Sequence, residues 1–214
     1  MNRIQRYIDS ETYELSDNIP TTSDDYAYSS VSESESESES DSDYELSDTE
    51  SEVVNNHKLN SSWNIWYHHQ KNNWKLDSYK RIYKIKSIES FWEFNNNIDQ
   101  IGGINSQHYF MMRDDITPIW EDDKNKTGGC WSIKIPMEKS YELWIKLSIY
   151  LIGETITNDD LLVNGISICP KNTSTSVVKI WIHDNNKSSI QNLPSEILNE
   201  YGFNIIYKAH IPEY

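Results

Sequence analysis

The residues best suited by type and spacing to act together are Trp120 and Glu121, at the head of the run Trp120-Glu121-Asp122-Asp123-Lys124-Asn125-Lys126-Thr127-Gly128-Gly129-Cys130-Trp131. An exposed indole is costly unless something flat lies on it, and an adjacent carboxylate offers two acceptor oxygens at the edge of whatever stacks there. Guanine fits both requirements, because its N1–H and N2–H can reach one carboxylate while its ring lies on the indole. A positive charge spread over the purine turns the stack into a cation–π contact, and a second Trp on the opposite face strengthens it. Taken alone, a Trp-Glu pair reads more readily as a packed indole beside a solvated loop.

Positioning such a pair requires a scaffold, and the periodicity supplies one. Alternation marks strands at Trp63–His69, Tyr79–Ile85, Tyr109–Arg113, Trp131–Ile135, Leu161–Ile168, Val177–His183 and Phe203–His210. Ser87 is placed to cap a helix carrying Ile88, Phe91 and Trp92, closed by Gly102-Gly103. Tyr141, Trp144, Ile145, Ser148, Leu151 and Ile152 recur at helical spacing, and Pro194–Tyr201 reads as a third helix stopped by Gly202. Strand, strand, helix repeated three times before a last strand predicts an α+β fold, with consecutive strands most simply antiparallel and the helices gathered on one face. The loops after Tyr67, after Ile119 and before Val177 would then converge on the opposite, concave face. Gln70 to Asn73 forms a polar loop that delivers Trp74 there.

Charge divides the 214 residues. Residues 1–56 hold two basic and sixteen acidic residues, a balance of −14, whereas 57–214 hold seventeen basic and eighteen acidic, a balance of −1, together with all eight Trp. The first part, with its Ser-Glu repeat from Ser32 to Asp43, buries too little apolar surface to offset its ordering entropy and is expected to be a disordered acidic tail. Tyr-Glu-Leu-Ser-Asp occurs twice within it, at Tyr13 and Tyr44. The second part is long enough for one sizeable core. Cys130 and Cys169 stand in no metal-ligand spacing, and no apolar run approaches membrane-spanning length. The expectation is a soluble monomer, cytoplasmic with the nucleus as an alternative location, without cofactor, metal or membrane anchor. Heavy use of Asn, Ile, Lys and Tyr fits an AT-rich genome such as a protist's or a large DNA virus's.

The stretch Trp120–Trp131 resembles the cap-binding loop of the eukaryotic initiation factor 4E family. The same register continues through Trp63-x-x-Trp66, Trp74, Ile88-Glu89-Ser90-Phe91-Trp92, Trp144, Leu151-Ile152-Gly153-Glu154 and Ile180-Trp181, so the resemblance covers about residues 57 to 214. It implies a single curved antiparallel sheet of about seven or eight strands with three helices on the convex face and a cap pocket on the concave one. In that family two Trp sandwich 7-methylguanine, and the matching positions are Trp74 and Trp120. Glu121 matches the carboxylate on the guanine edge, Trp181 the Trp at the N7-methyl group, and Lys171 a phosphate-binding cation. The implied partners are capped mRNA and a scaffold or repressor protein carrying a Tyr-x-x-x-x-Leu-apolar helix. That helix would meet His57, Leu59, Ile88, Trp92, Ile145, Lys146 and Gly153.

The chain departs from the pattern where phosphates would sit. Cys130 stands where the family has Arg, and Val177 stands at a second family cation. Lys179 and Lys187 are nearby substitutes, although a strand position could turn Lys179 away. Lys146 replaces an acidic residue of the partner groove, which puts the usual basic peptide in question. These departures leave two readings open: a noncatalytic cap-binding initiation factor, and a homologue that binds cap weakly and acts as competitor or translational repressor. An enzyme would have to build a metal site from Asp114, Asp115, Glu121, Asp122 and Asp123, and no P-loop or nucleophile motif accompanies them.

Overall fold

The structure, a computed structural model, describes residues 56–70, 72–159 and 162–210. Residues 1–55 of the acidic tail, on which the expected disorder falls, and Lys71 lie outside the described residues. Seven strands form one sheet: β1 (Lys58–His68), β2 (Tyr79–Ser87), β3 (His108–Arg113), β4 (Gly129–Pro136), β5 (Val163–Pro170), β6 (Thr175–Ile182) and β7 (Ile205–Ala209). Three helices alternate with them: α1 (Ile88–Asn97), α2 (Ser140–Ile152) and α3 (Ser195–Tyr201). The spatial order is β2-β1-β3-β5-β6-β4-β7, and every pairing is antiparallel.

The predicted strand-strand-helix rhythm is present, with one correction to its pairing. β1 and β2 are neighbours, as are β5 and β6, but β3 and β4 are not. The fifteen residues between Arg113 and Gly129 are no tight turn; they carry the chain across β5 and β6, which pair between them. The last strand also starts later than its apolar run implied. Phe203 lies in a 3-10 turn at Gly202–Asn204, fully exposed, and pairing begins at Ile205.

Period-two alternation sorts the strands' side chains onto two faces. Trp63, Ile65, Tyr109, Met111, Trp131, Ile133, Ile166, Ile168, Val178 and Ile180 point to the helical side. There they join Phe91 and Phe94 of α1, Leu143, Leu147 and Leu151 of α2, and Ile197 of α3 in one core. Burying each large side chain stabilises the fold by roughly 1.5–3 kcal/mol, which is why the helices stay on this face. The other face carries a small separate cluster of Phe110, Met112, Ile116, Cys130 and Trp181, flanked by Trp66, Tyr79 and Trp120.

Local signals fix the ends of α1. Ser87 Oγ accepts from the Ser90 backbone N–H at 3.2 Å, and Ser90 Oγ accepts from the Ser87 N–H at 2.9 Å, a reciprocal cap with serine in both roles. A 3-10 turn then leads into Gly102 and Gly103, whose φ of 101° and 70° lies in the left-handed region that suits glycine.

Candidate cap-binding site

The loop that presents Trp120 is held from within. Asn125, fully buried, donates to the carbonyls of Thr117 (2.9 Å) and Ile119 (2.8 Å) and accepts from Asn164 Nδ2 of β5 (2.9 Å). Asp122 accepts from the Thr117 N–H (2.9 Å) and the Lys124 N–H (2.9 Å), closing the turn on itself. The loop then enters β4 through Gly128 and Gly129. A Cβ on Gly128 would lie 1.7 Å from the Ile182 carbonyl oxygen, and one on Gly129 would lie 2.3 Å from the Tyr207 hydroxyl. The Gly-Gly pair is therefore required by close backbone approach. Each of the other loop carboxylates is engaged: Asp114 with Lys84 and Asn64, Asp115 with Lys124, and Asp123 with Lys126. Among the described residues no cluster of three His, Cys, Asp or Glu side chains is arranged to hold a metal ion.

Trp120 emerges half-buried at one end of an aromatic floor. Its indole stacks on His210 at 5.1 Å and 19°. His210 meets Trp181 (5.0 Å), Trp181 meets Phe110 (6.1 Å), Phe110 meets His108 (4.1 Å), and His108 meets Trp74 edge-on (6.1 Å). Trp74, 55% exposed, stacks on His68 at 4.6 Å and 22°. The two Trp of the expected sandwich thus share one face but make no direct ring contact. Each stacks on an imidazole. Trp181 itself is buried beneath the floor, its Nε1 donating to Ser167 Oγ at 3.0 Å.

The Glu121 charge acts on two groups of this floor. Burial, then the Glu121 charge, pushes the Tyr79 hydroxyl up to about 12. The Glu121 carboxylate also opposes the burial that lowers His210. His108 is held down to about 3, chiefly by burial, then by Lys179, His68 and Lys171, so it stays a neutral imidazole. Both of its ring nitrogens are buried without a hydrogen-bond partner among the described residues. Lys171 is exposed at the β5–β6 hairpin, where its N–H bonds the Thr175 carbonyl, and its charge reaches the floor through His108.

His210 and Lys208, which sequence reasoning passed over, belong to this face, together with Lys179, which it named as a substitute cation. His210 Nδ1 donates to the Asn125 carbonyl at 2.8 Å, which leaves Nε2 as the acceptor for the Cys130 thiol at 3.0 Å. Lys208 holds its ammonium 5.2 Å from the Trp120 ring centroid, and Lys179 holds its own at 5.9 Å. Lys179 therefore does not turn away. Val177, Lys179 and Trp181 alternate with the core residues Val178, Ile180 and Ile182, so the same parity that buries Trp181 in the floor was the available signal. Lys187 pairs with Asp159 instead.

The residues assigned to a partner groove lie on the helical side. His57 Nδ1 meets Glu89 at 2.7 Å at the start of α1, and Leu59 packs half-buried against the core. Ile88 and Trp92 stand exposed one turn apart at 44% and 40%. On α2, Ile145 is half-buried between the exposed Tyr141 and Ile149, and Gly153 closes the helix. Lys146 is not free to meet a partner as a bare cation, because it bridges Glu196 (3.1 Å) and Glu200 (2.8 Å) of α3. Those carboxylates, Glu200 foremost, hold its ammonium above the ordinary lysine range.

Comparison with known proteins agrees with this architecture. Residues 58–212 match the family described as Eukaryotic initiation factor 4E. Eukaryotic translation initiation factor 4E-1 of Caenorhabditis elegans is 29% identical over 148 residues, covering 66% of this chain and 69% of that protein. The 4E factor of Candida albicans is 29% identical over 154 residues, covering 67% and 73%. Among solved structures, C. elegans eIF4E-3 in complex with the 4E-binding protein Mextli and a cap analog superposes with a TM-score of 0.63 at 23% identity, over 72% of this chain and 93% of that one. Ascaris suum eIF4E-3 with an m7G cap gives 0.62 at 24%, over 74% and 93%. At that identity the superpositions speak for the fold, a seven-stranded sheet backed by three helices, while the sequence match covers most of the chain: it belongs to the eukaryotic initiation factor 4E family.

Proposed function

We propose that this chain binds the 7-methylguanosine cap of mRNA without catalysis and hands the bound message to a partner protein for translation initiation in the cytoplasm. The observation that carries the reading is the aromatic floor bounded by Trp74 and Trp120 with Glu121 at its edge, a set of groups that matches a flat cation bearing two N–H donors. The base lies between the two indoles, with His68 and His210 behind them, and Glu121 accepts from N1–H and N2–H. Trp181 contacts the methylated edge, and Lys171 faces the phosphates. The relatives are named as initiation factors, and two of the solved neighbours hold a cap or cap analog.

On the helical side, a Tyr-x-x-x-x-Leu-apolar helix docks across α1 and α2 on Ile88, Trp92 and Ile145, with His57, Leu59 and Gly153 at its ends. Apolar anchors one helical turn apart suit that mode of recognition. Lys146 then serves the groove indirectly, by fixing Glu196 and Glu200. The deciding experiment is tryptophan-fluorescence titration with 7-methyl-GTP and GTP. Quenching that is saturable and at least about tenfold tighter for the methylated ligand supports the reading, since about 1.4 kcal/mol of cation–π energy gives that ratio. Equal affinity for the two would overturn it.

A further inference from the structure

Two ammonium groups held near one indole need an explanation that stacking alone does not give. Lys208 and Lys179 reach to 5.2 and 5.9 Å from the centre of Trp120. Among the described residues neither forms an ion pair, whereas Lys84, Lys124, Lys126, Lys139, Lys146 and Lys187 each meet a carboxylate. Their charges also act inward. Lys179 depresses His108 at the Trp74 end and His210 at the Trp120 end, and Lys208 depresses His210.

The register explains how these positions came to face the site. Lys208 of β7 lies directly opposite Cys130 of β4, the position where the resemblance expects an Arg. Lys179 of β6 lies opposite Ser132, two residues beyond Val177, where the resemblance expects the second cation. A cross-strand neighbour and an i+2 neighbour both project from the same face of a sheet. Cys130, 2% exposed and bonded to His210, cannot itself offer charge; burial pushes its thiol up to about 12.

We propose that Lys179 and Lys208 form a polyphosphate clamp at the Trp120 end of the floor, each supplying a cation from a position adjacent to one the family uses. The proposal rests on the cap reading and deepens it by assigning the 5′–5′ triphosphate of a capped ligand to these two ammonium groups. Lys171, on the β5–β6 hairpin, extends the positive rim towards Trp74.

The test uses the full chain and Lys179→Met, Lys208→Met and the double variant, which keep the apolar stems and delete the charge. Affinities are measured by tryptophan fluorescence for 7-methylguanosine, 7-methyl-GTP and inorganic tripolyphosphate, with circular dichroism as the folding check. Each single change should weaken 7-methyl-GTP by about tenfold at low salt, the magnitude of one charge-assisted phosphate contact, and leave the nucleoside within about twofold. The loss should shrink as salt rises. An unchanged ratio of 7-methyl-GTP to nucleoside affinity in the double variant would overturn the clamp while leaving the cap reading intact. Failure of the wild type to bind the nucleoside would instead overturn the cap reading. In that case tripolyphosphate binding lost in the double variant would support the clamp, and binding retained there would overturn it.

Discussion

At the scale of single residues, the site depends on indole faces whose backing is as specific as their exposure. Trp120→Ala removes one face of the stack and the lid over His210; Trp74→Ala removes the other face. A stacked base contributes roughly 1–3 kcal/mol per aromatic, so each change should lower affinity for 7-methyl-GTP by about 10- to 100-fold with the far-ultraviolet spectrum unchanged. Glu121→Ala should act similarly on methylated and unmethylated guanine ligands alike, because it removes the edge contact and leaves the cation–π stack. Retention of either Trp variant on a 7-methylguanosine resin at wild-type levels would remove that residue from the pocket. Thiol chemistry gives an independent check on the floor. With Cys130 buried and its thiol pushed up to about 12, the folded protein should leave that cysteine unmodified by iodoacetamide at pH 8, and denaturant should expose it. Rapid modification of Cys130 in the folded state would contradict the seal that His210 makes over it.

Elements set what these residues can reach. The Trp120 loop stands because Asn125 satisfies the Thr117 and Ile119 carbonyls and bonds β5 through Asn164. Asn125→Ala leaves several buried polar groups unanswered at a cost of about 1–3 kcal/mol each, and should abolish cap binding while lowering thermal stability. If cap affinity survived, the loop would owe its shape to something else. The helices offer a contrasting case. Trp92→Ala should remove affinity for a Tyr-x-x-x-x-Leu peptide and spare 7-methyl-GTP, since α1 and the cap pocket lie on opposite faces of the sheet; loss of both together would show that Trp92 is needed for the fold. Lys146→Glu replaces two α2–α3 ion pairs by repulsion among carboxylates. Its first effect should be a modest destabilisation of about 1 kcal/mol that salt reduces, rather than a switch of peptide preference.

For the whole molecule, electrostatics acts over two ranges. Within the folded part, Glu154 sits at a φ of 54° after α2, tied to Arg113 at 3.1 Å and to Ser61. Burial raises its carboxyl, but the Ser61 and Arg113 contacts outweigh that and hold it below its ordinary 4.5. A depressed carboxylate contributes stability that is present above pH 4.5 and is lost as pH falls through the lowered value. Glu154→Gln keeps the backbone strain, removes the charge and exchanges one acceptor oxygen for an NH2 donor. It should lower stability at pH 7 and lower it less at pH 3, measured by urea unfolding; equal losses at both pH values would mean the charge is irrelevant. Over the longer range, residues 1–56 carry −14 by sequence, while the folded part holds Lys171, Lys179 and Lys208 on the face opposite the helices. A tail that merely keeps the protein soluble leaves RNA binding unchanged, whereas one that competes with RNA phosphates at high effective concentration does not. Deleting it should tighten capped-RNA binding at low salt and make no difference at high salt, and identical low-salt affinities would dismiss the competition.

Much of this was legible in the chain itself. Period two and period 3.6 are local consequences of backbone geometry, so seven strands, three helices, the Ser87 cap and the Trp-Glu loop could be read from residue order alone. The resemblance likewise needed only linear spacing to place Trp74, Trp120, Glu121 and Trp181 on one face. Tertiary structure alone decided the rest. Which strands pair is set by long-range burial, and no local pattern distinguishes the β3–β4 connection that crosses two strands from a hairpin. His210 stacked on Trp120 and bonded to Asn125, and Lys146 between two glutamates, are contacts spanning some 50 to 90 residues, formed only when the sheet brings those segments together. The cations at Lys179 and Lys208 show the division most sharply. Parity along β6 fixes the face on which Lys179 stands, but only the register of β4 with β6 and β7 brings both ammonium groups to the same indole.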